Sequence, residues 1–377
     1  DSGGTADPDE PLRGVDDPFI NRPFDLRSGP LWRVQLVRVA ARHHILYLNA
    51  HHIICDGWSM GVLARDLADL YSERPLSALS IQYTDFARWQ RRRDSDEAAA
   101  ELVAYWRDHL RGAPPVSPLP TDFERPPVQS FAGAEYQFTI DRAATAGLRA
   151  MAGREHCTLY VVLLTLFKVL IAHASGGRDI VVGTDVAGRD HPATRGLIGL
   201  FVNQLVLRSD LTGDPSLSEL LRRVRGTVLG GLDHQELPFH RLVEALRPAR
   251  DPRHNPLFQL MFVLEDTPAA AVAMTGLQTR ARALAIGGAP FDISLILSPD
   301  ADALHGSLRY KTALFRPATI ANLAHGYAAL VRAVAAGTEL RLSDLSDALT
   351  AAEHRQRTAD LAELKRRGAA KFRRRRD

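Results

Sequence analysis

His51-His52-Ile53-Ile54-Cys55-Asp56-Gly57-Trp58-Ser59 places two adjacent histidines after a strand-like run and an aspartate, a glycine and a capping serine before a helix-like one. Upstream, residues 31–39 (LWRVQLVRV) alternate apolar and polar side chains, the period of a half-buried strand. Residues 44–50 (HILYLNA) form a second, more apolar strand, and 40–43 the short turn of a hairpin. The quoted run then reads as a loop, with Ser59 capping a helix over 60–71 whose apolar positions are Val62, Leu63, Leu67 and Leu70. A strand end holds a side chain rigidly yet accessibly, and a histidine there can take a proton near neutral pH. Asp56 can fix the loop through an ion pair, and Gly57 admits backbone conformations that other residues avoid. By itself the pattern is as compatible with a structural histidine pair as with a proton-transfer site. A metal site is disfavoured, because neighbouring strand residues point to opposite faces and His51 and His52 do not readily share one ion.

Outward from this run, residues 83–110 are amphipathic and read as two helices. Residues 112–127 (GAPPVSPLPTDFERPP) hold six prolines and little periodicity, the pattern of an extended connector, so the lobe boundary is placed there. Beyond it, strands are expected over 134–140, 179–184, 201–207, 257–264, 292–297 and 306–311, and helices over 143–155, 159–173, 217–232 and 317–335. Interleaved elements without repeats indicate an α/β protein of two layered lobes. The expected division is a linker-like start (1–20), an N-terminal lobe with the histidine motif (21–125), a C-terminal lobe (126–350) and a charged tail or linker (351–377).

The chain has 377 residues and a net charge of +3, but residues 353–377 hold ten Lys/Arg against four Asp/Glu, a net of +6. The remainder therefore sums to −3 and offers no basic field to nucleic acid. Cys55 and Cys157 make no disulfide framework and no zinc site, which suits a reducing cytoplasm. No signal peptide or membrane span is visible; the most apolar run, 159–172, is too short to cross a bilayer and contains Lys168.

Residues 51–59 resemble the HHxxxDGWS motif of nonribosomal peptide synthetase condensation domains. Tyr83-Thr84-Asp85-Phe86-Ala87-Arg88-Trp89 is similar to that family's YxDYAxW segment. Residues 183–189 (GTDVAGR) and 198–203 (IGLFVN) are similar to GTPVAGR and IGxFVNT. Residues 234–239 (HQELPF) resemble HQDLPFE, with His240 in place of the final Glu, and Arg253 with 256–262 (PLFQLMF) resembles NPLFQxMF with its preceding arginine. The matches keep the family's order over residues 24–350. The family's opening SxAQxRLW and RHxxLRTxF segments have no counterpart ahead of 24–33 (FDLRSGPLWR), so the N-terminal lobe is expected to be incomplete.

The resemblance implies a two-lobed chloramphenicol-acetyltransferase-like fold and amide formation, in which an aminoacyl amine on a downstream carrier protein attacks a thioester on an upstream one. Both substrates ride on 4′-phosphopantetheine arms, and the chain itself binds no cofactor or metal. His52 is expected to act as base or to hydrogen-bond the amine, and Gly57 to bring a backbone N–H near the oxyanion. His51, Asp56 and Asn203 are expected to support the site. Asp56 is expected to pair with an arginine; if that arginine belongs to the absent second segment, Asp56 lacks its partner here. Tyr83, Trp89, Phe201 and Phe258 are core candidates, and Cys55 a small buried residue. Both histidines being present argues against the heterocyclisation type, and DGWSMG is more similar to domains joining two L-residues than to epimerisation domains. The partners implied are carrier proteins and adjacent synthetase domains, with no nucleic acid or membrane, in the cytoplasm. The competing reading is a non-catalytic condensation-like platform that binds a carrier protein.

Overall fold

The structure, a computed structural model, describes residues 18–93, 97–265, 273–281, 284, 287–300, 303–337 and 339–373. Residues 1–17, most of the linker-like start, and 374–377, the end of the charged tail, lie outside them. The chain forms two compact units. The first comprises Asp1–Ala99, Ala187–Asn203 and Ala269–Gly288, and the second Ala100–Val186, Gln204–Pro268 and Ala289–Asp377. A single cut near residue 125 does not describe this division, because the first unit takes back two later segments.

The first unit begins with the short helix α1 (Pro18–Asn21) and the expected hairpin, β1 (Trp32–Ala40) against β2 (His43–Ala50). The strands are antiparallel, with Val34 opposite Leu48 and Leu36 opposite Leu46. Only Tyr47 of the hairpin is fully buried, whereas Trp32, Val34, Leu36 and Leu46 remain exposed, Leu36 at 67%. The alternation does specify the two faces, but the apolar one is not covered within the unit. A 3₁₀ turn (His52–Ile54) leads into α2 (Gly57–Tyr71), followed by α3 (Tyr83–Arg93). The cap of α2 is Asp56, whose Oδ1 accepts the Ser59 N–H at 2.8 Å, and not Ser59. An aspartate three residues ahead of a free amide satisfies it as well as serine does, and starts the helix one turn earlier.

The second unit contains α4 (Glu97–His109), which starts at its edge, then β3 (Gly133–Ile140), α5 (Arg142–Arg154), α6 (Leu159–Ser175), β4 (Asp179–Val186) and β5 (Asn203–Asp210). They are followed by α7 (Leu217–Asp233), α8 (Phe239–Leu246), β6 (Leu260–Leu264), β7 (Ile293–Asp300), β8 (Ala303–Lys311), α9 (Pro317–Ala335) and α10 (Leu342–Arg373). The six strands form one mixed sheet in the order β3-β8-β7-β6-β4-β5. The antiparallel pairs are β3–β8 and β7–β8, and the parallel ones β4–β6 and β6–β7.

Helix α6 is the centre of the core. Every residue from Val161 to Ala172 is buried, as expected of a helix that is apolar all round. Thr158 caps its start through Oγ1 to the Val161 N–H, and Gly176, at φ 71°, ends it in the left-handed conformation. Lys168, within this buried run, is 0% exposed and donates from Nζ to the Leu207 carbonyl and to Ser209 Oγ, both at 2.7 Å. Burial draws this ammonium down to about 7, against a smaller upward pull from Asp179. No single helix among the described residues is long and apolar enough to cross a membrane.

The proline-rich connector has no regular structure, as expected, but it is bound into the second unit and does not divide lobes. Gln259 Oε1 accepts the Ser117 N–H at 2.6 Å, and Arg125 forms two hydrogen bonds to the Asp292 carboxylate. Asp122 accepts the Arg316 N–H at 2.8 Å and the Thr319 hydroxyl at 2.9 Å, so it caps α9 from outside the helix. Proline-rich chain lacks internal donors, and here the sheet and helix ends supply its partners. The charged tail expected to be a linker from residue 351 is helical through Arg373, as the continuation of α10.

Candidate functional site

The site is built within the first unit, around the turn that carries the histidines. His51 closes the hairpin by donating its N–H to the Leu31 carbonyl at 2.9 Å. Its Nδ1 accepts the Ile53 N–H at 3.1 Å and thereby caps the 3₁₀ turn. This fixes the imidazole, so that a neutral His51 carries its proton on Nε2. His52 is the first residue of that turn and is exposed. His51 and His52 therefore occupy different settings, one engaged with the backbone and one exposed.

Beyond the turn the chain is pinned by Asp56. Its Oδ1 takes the Ser59 N–H, and the Ser59 hydroxyl oxygen lies 2.7 Å away. Oδ2 accepts the Phe201 N–H at 3.0 Å. Arg189 Nη2 lies 3.0 Å from Oδ1 and 3.3 Å from Oδ2. Asp56 pairs with an arginine as expected, and because that arginine is present here the condition under which Asp56 would be left unpaired does not hold. The arginine comes from the GTDVAGR segment, 133 residues downstream, and not from a segment ahead of the motif. The side chains of the pair are 5% and 2% exposed, and such a pair persists only when its remaining hydrogen-bonding capacity is filled.

That capacity is nearly filled. Arg189 Nη1 donates to the Thr194 and Leu197 carbonyls at 2.6 and 2.8 Å, and Nη2 also reaches Ser59 Oγ at 2.8 Å. Among the described residues Arg189 Nε is buried with no partner. The guanidinium lies over the Phe201 ring, 4.0 Å from its centroid. Burial pushes the Asp56 carboxyl up, but the Phe201 and Ser59 hydrogen bonds and the Arg189 charge together hold it below its ordinary value. Burial draws Arg189 down, against the opposing attraction of Asp56.

Two glycines make this approach sterically possible. Gly188, at φ 61°, lies so close to the Phe201 carbonyl that a Cβ would collide with it. A Cβ on Gly199 would strike the Tyr83 ring. Tyr83 donates its hydroxyl to the Leu200 carbonyl at 2.9 Å and packs edge-on against Phe201. Phe86 lies 4.6 Å from the same ring, and Trp58 Nε1 donates to the Arg195 carbonyl at 2.9 Å. Four segments singled out in the sequence, 51–59, 83–89, 183–189 and 198–203, therefore contribute to one assembly.

Phe201 and Phe258 are buried, at 5% and 2%, whereas Trp89 is 48% exposed and is not a core residue. It sits on the solvent side of α3 with the Arg93 guanidinium over its ring. Cys55 is buried, and burial together with the Asp56 charge pushes its thiol up, the opposite of an activated nucleophile. Gly57 is the first residue of α2 and is exposed, and a Cβ there would meet nothing within 4 Å. Its backbone does not enter the left-handed region, so glycine is not required there for conformation. Asn203 opens β5. Arg189 stands out in the sequence only as part of a motif; its pairing is a long-range contact with no local signal. Ser59, expected to be a cap, is in fact a node between Asp56, Arg189 and Gly199.

Comparison with known proteins agrees with this geometry. The Condensation domain family model matches residues 16–356. The chain is 42% identical over 337 residues to a linear gramicidin synthase of Brevibacillus parabrevis, covering 86% of this chain and 6% of that protein. It is 43% identical over 331 residues to the phosphinothricin tripeptide synthetase PhsC of Streptomyces viridochromogenes, covering 86% of this chain and 30% of that one. The chain thus spans a minor part of the synthetases it matches. Among solved structures, the X-domain from teicoplanin biosynthesis has a TM-score of 0.79 at 27% identity, covering 85% of this chain and 75% of that one. A four-domain nonribosomal peptide synthetase bound to AMP and glycine has a TM-score of 0.77 at 26% identity, covering 86% of this chain and 26% of that one. These structures carry the chloramphenicol-acetyltransferase-like fold anticipated from the motifs. With the family's segments joined around Asp56 and the match running through both units, this chain belongs to the condensation domain family of nonribosomal peptide synthetases.

Proposed function

We propose that this domain forms an amide bond between two carrier-tethered substrates. The acceptor amine nitrogen attacks the donor thioester carbonyl carbon, the C–N bond forms, and the C–S bond breaks. The donor's phosphopantetheine leaves as a thiol that takes up the proton shed by the amine. A thioester is already activated, so positioning and proton management are what remains for the protein to supply. The observation that carries this reading is the exposed His52 on a turn fixed at both ends, by the His51 cap before it and the Asp56 assembly after it.

In this reading His52 contacts the attacking amine and accepts or relays its proton. The amide of Gly57, in the first turn of α2, faces the developing oxyanion, and the open space beside it leaves room for the thioester. His51 and Asp56 position the turn, and Asn203 supports the site at the start of β5. The partners are an upstream and a downstream carrier domain within a longer cytoplasmic synthetase, and the chain itself holds no cofactor. Covalent connection to neighbouring domains makes weak carrier contacts sufficient.

The test is a single-turnover assay with donor-loaded and acceptor-loaded carrier proteins. Dipeptide is expected with this chain and a loss of about 10²–10⁴-fold with His52→Ala, the usual worth of a positioned acid–base group. Carrier binding without product, unchanged by His52→Ala, would overturn the catalytic reading in favour of a docking platform.

A further inference from the structure

The turn that bears His52 is braced from a second side, by Phe24 and Arg33 at the two ends of the 24–33 segment and by Asn49. Arg33 on β1 lies opposite Asn49 on β2. Arg33 Nη1 donates to the Arg22 carbonyl at 2.7 Å, and Nη2 to the Pro23 carbonyl at 2.8 Å. Its guanidinium carbon sits 3.9 Å from the centroid of the Phe24 ring. Asn49 Nδ2 donates to the Phe19 and Ile20 carbonyls at 2.8 and 3.1 Å. Two opposed side chains of the hairpin thus bind successive stretches of the same incoming segment. The Arg33 stretch ends in Phe24, whose ring meets His51 edge-on with centroids 6.0 Å apart. His51 in turn caps the 3₁₀ turn that begins at His52.

We infer that Arg33 is a positioning residue for His52, acting through Phe24 and the His51 ring. The inference rests on the role proposed for His52 and adds a device that sets its geometry. A guanidinium suits this role because its planar fork bonds two carbonyls while its face covers an aromatic ring, and lysine does neither as well. Asn49 binds the same segment at Phe19 and Ile20, and Arg33 shares the Phe19 carbonyl at 3.5 Å while also stacking on Phe24, so comparing the two residues separates tethering of the segment from control of His51.

The experiment compares the wild-type chain with Arg33→Ala, Arg33→Lys, Phe24→Leu and Asn49→Ala. It reads the His51 tautomer by ¹⁵N NMR, melting temperature, carrier binding and the single-turnover rate. Arg33→Ala and Phe24→Leu are expected to mix the His51 tautomers and to lower the rate about tenfold, with carrier binding held within about twofold, because a small misplacement of a reacting group is costly. Arg33→Lys is expected to recover only a fraction of that loss. Asn49→Ala is expected to lower the melting temperature while leaving the tautomer and the rate near wild type. Equal rate losses in Arg33→Ala and Asn49→Ala, or an undisturbed His51 tautomer in Arg33→Ala and Phe24→Leu, would overturn the inference. If Arg33→Ala does not fold, Phe24→Leu alone decides it. A wild-type chain that makes no product would count against the proposed function, while the NMR comparison would still decide how His51 is held.

Discussion

Asp56 and Asp292 are buried carboxylates, one in each unit, and their charges are matched in different ways. Asp56 faces one arginine, and its other lone pairs are filled by the Ser59 and Phe201 amides and the Ser59 hydroxyl. Asp292 faces two cations, with Arg125 forming a two-pronged contact and Lys311 Nζ at 3.5 Å. Arg189 is 2% exposed, whereas of Asp292's cations Arg125 is 17% exposed and Lys311 2%. Lys311 also donates to Gln129 Oε1 at 2.8 Å, so each of Asp292's cations has an alternative to the carboxylate. Burial draws Lys311 below its ordinary value, Asp292 pulls it back up, and Arg125 adds a smaller downward push. One carboxylate is a single-answer junction where three sequence segments meet. The other is a tolerant clamp that holds a connector and two strand ends together. A junction of the first kind sets geometry at a site, and a clamp of the second kind secures the scaffold.

The comparison can be broken by removing each anion. Asp56→Ala leaves Arg189 buried and uncompensated and is expected to cost about 3–5 kcal/mol, measured by urea unfolding, with hydrogen exchange rising in α2 and 187–203. Asp292→Ala is expected to cost less, about 2 kcal/mol, because Arg125 can turn toward solvent, and Lys311, though buried, keeps Gln129 and, already drawn below its ordinary value by burial, can give up its proton once Asp292 no longer pulls it back up. Equal losses would mean that having a second cation and an alternative acceptor does not soften the loss of the carboxylate. Acid tests the first junction separately. A depressed folded-state value means that Asp56 contributes stability above its ordinary unfolded range and loses it as pH falls below that range, so Asp56→Asn is expected to flatten the acid limb of the stability profile.

Lys168 sharpens the contrast because it is a buried cation with hydrogen bonds but no carboxylate among them. Its folded value of about 7 lies below the ordinary 10.5, so the unfolded chain binds the extra proton between those limits. Its contribution to stability is therefore complete above about 10.5 and lost as pH falls toward 7. Lys168→Met is expected to remove that slope, as read from melting temperatures across the range. Asp122→Ala, which uncaps α9 from the connector, is expected to cost about 1 kcal/mol. Gly57→Ala should change stability least, by less than about 0.5 kcal/mol, because the position is open and carries no backbone strain. A fall in single-turnover rate without a fall in stability would then show that the space beside Gly57 is used by substrate.

Much of the scaffold is legible in the sequence because local rules agree with one another. The hairpin follows from alternation and a short turn, α6 from continuous apolarity with Thr158 before it and Gly176 after it, and α9 from its apolar period. Helix α8 escapes such reading because Pro238 provides no side-chain cap to announce its start. The start of α10 escapes it for a related reason, since the Ser343 N–H is satisfied by Asp214, a residue 129 positions away. The connector is extended chain, as its prolines indicate, but its role is not legible, since the hydrogen-bond partners that bind it into the second unit lie far from it in sequence.

The sequence by itself determined the histidine pair at a strand end, the helix that follows Asp56, the family to which these segments belong and the apolar helix at the core. Each of those rests on residues close together in the chain, where propensity, period and capping act over a few positions. Only the tertiary structure decided that Arg189 is the partner of Asp56, that Ser59 joins three segments and that Arg33 reaches His51 through Phe24. Such pairings depend on which distant segments share a buried, low-dielectric space, and the cost of leaving a charge there unmatched selects the partner wherever in the chain it stands.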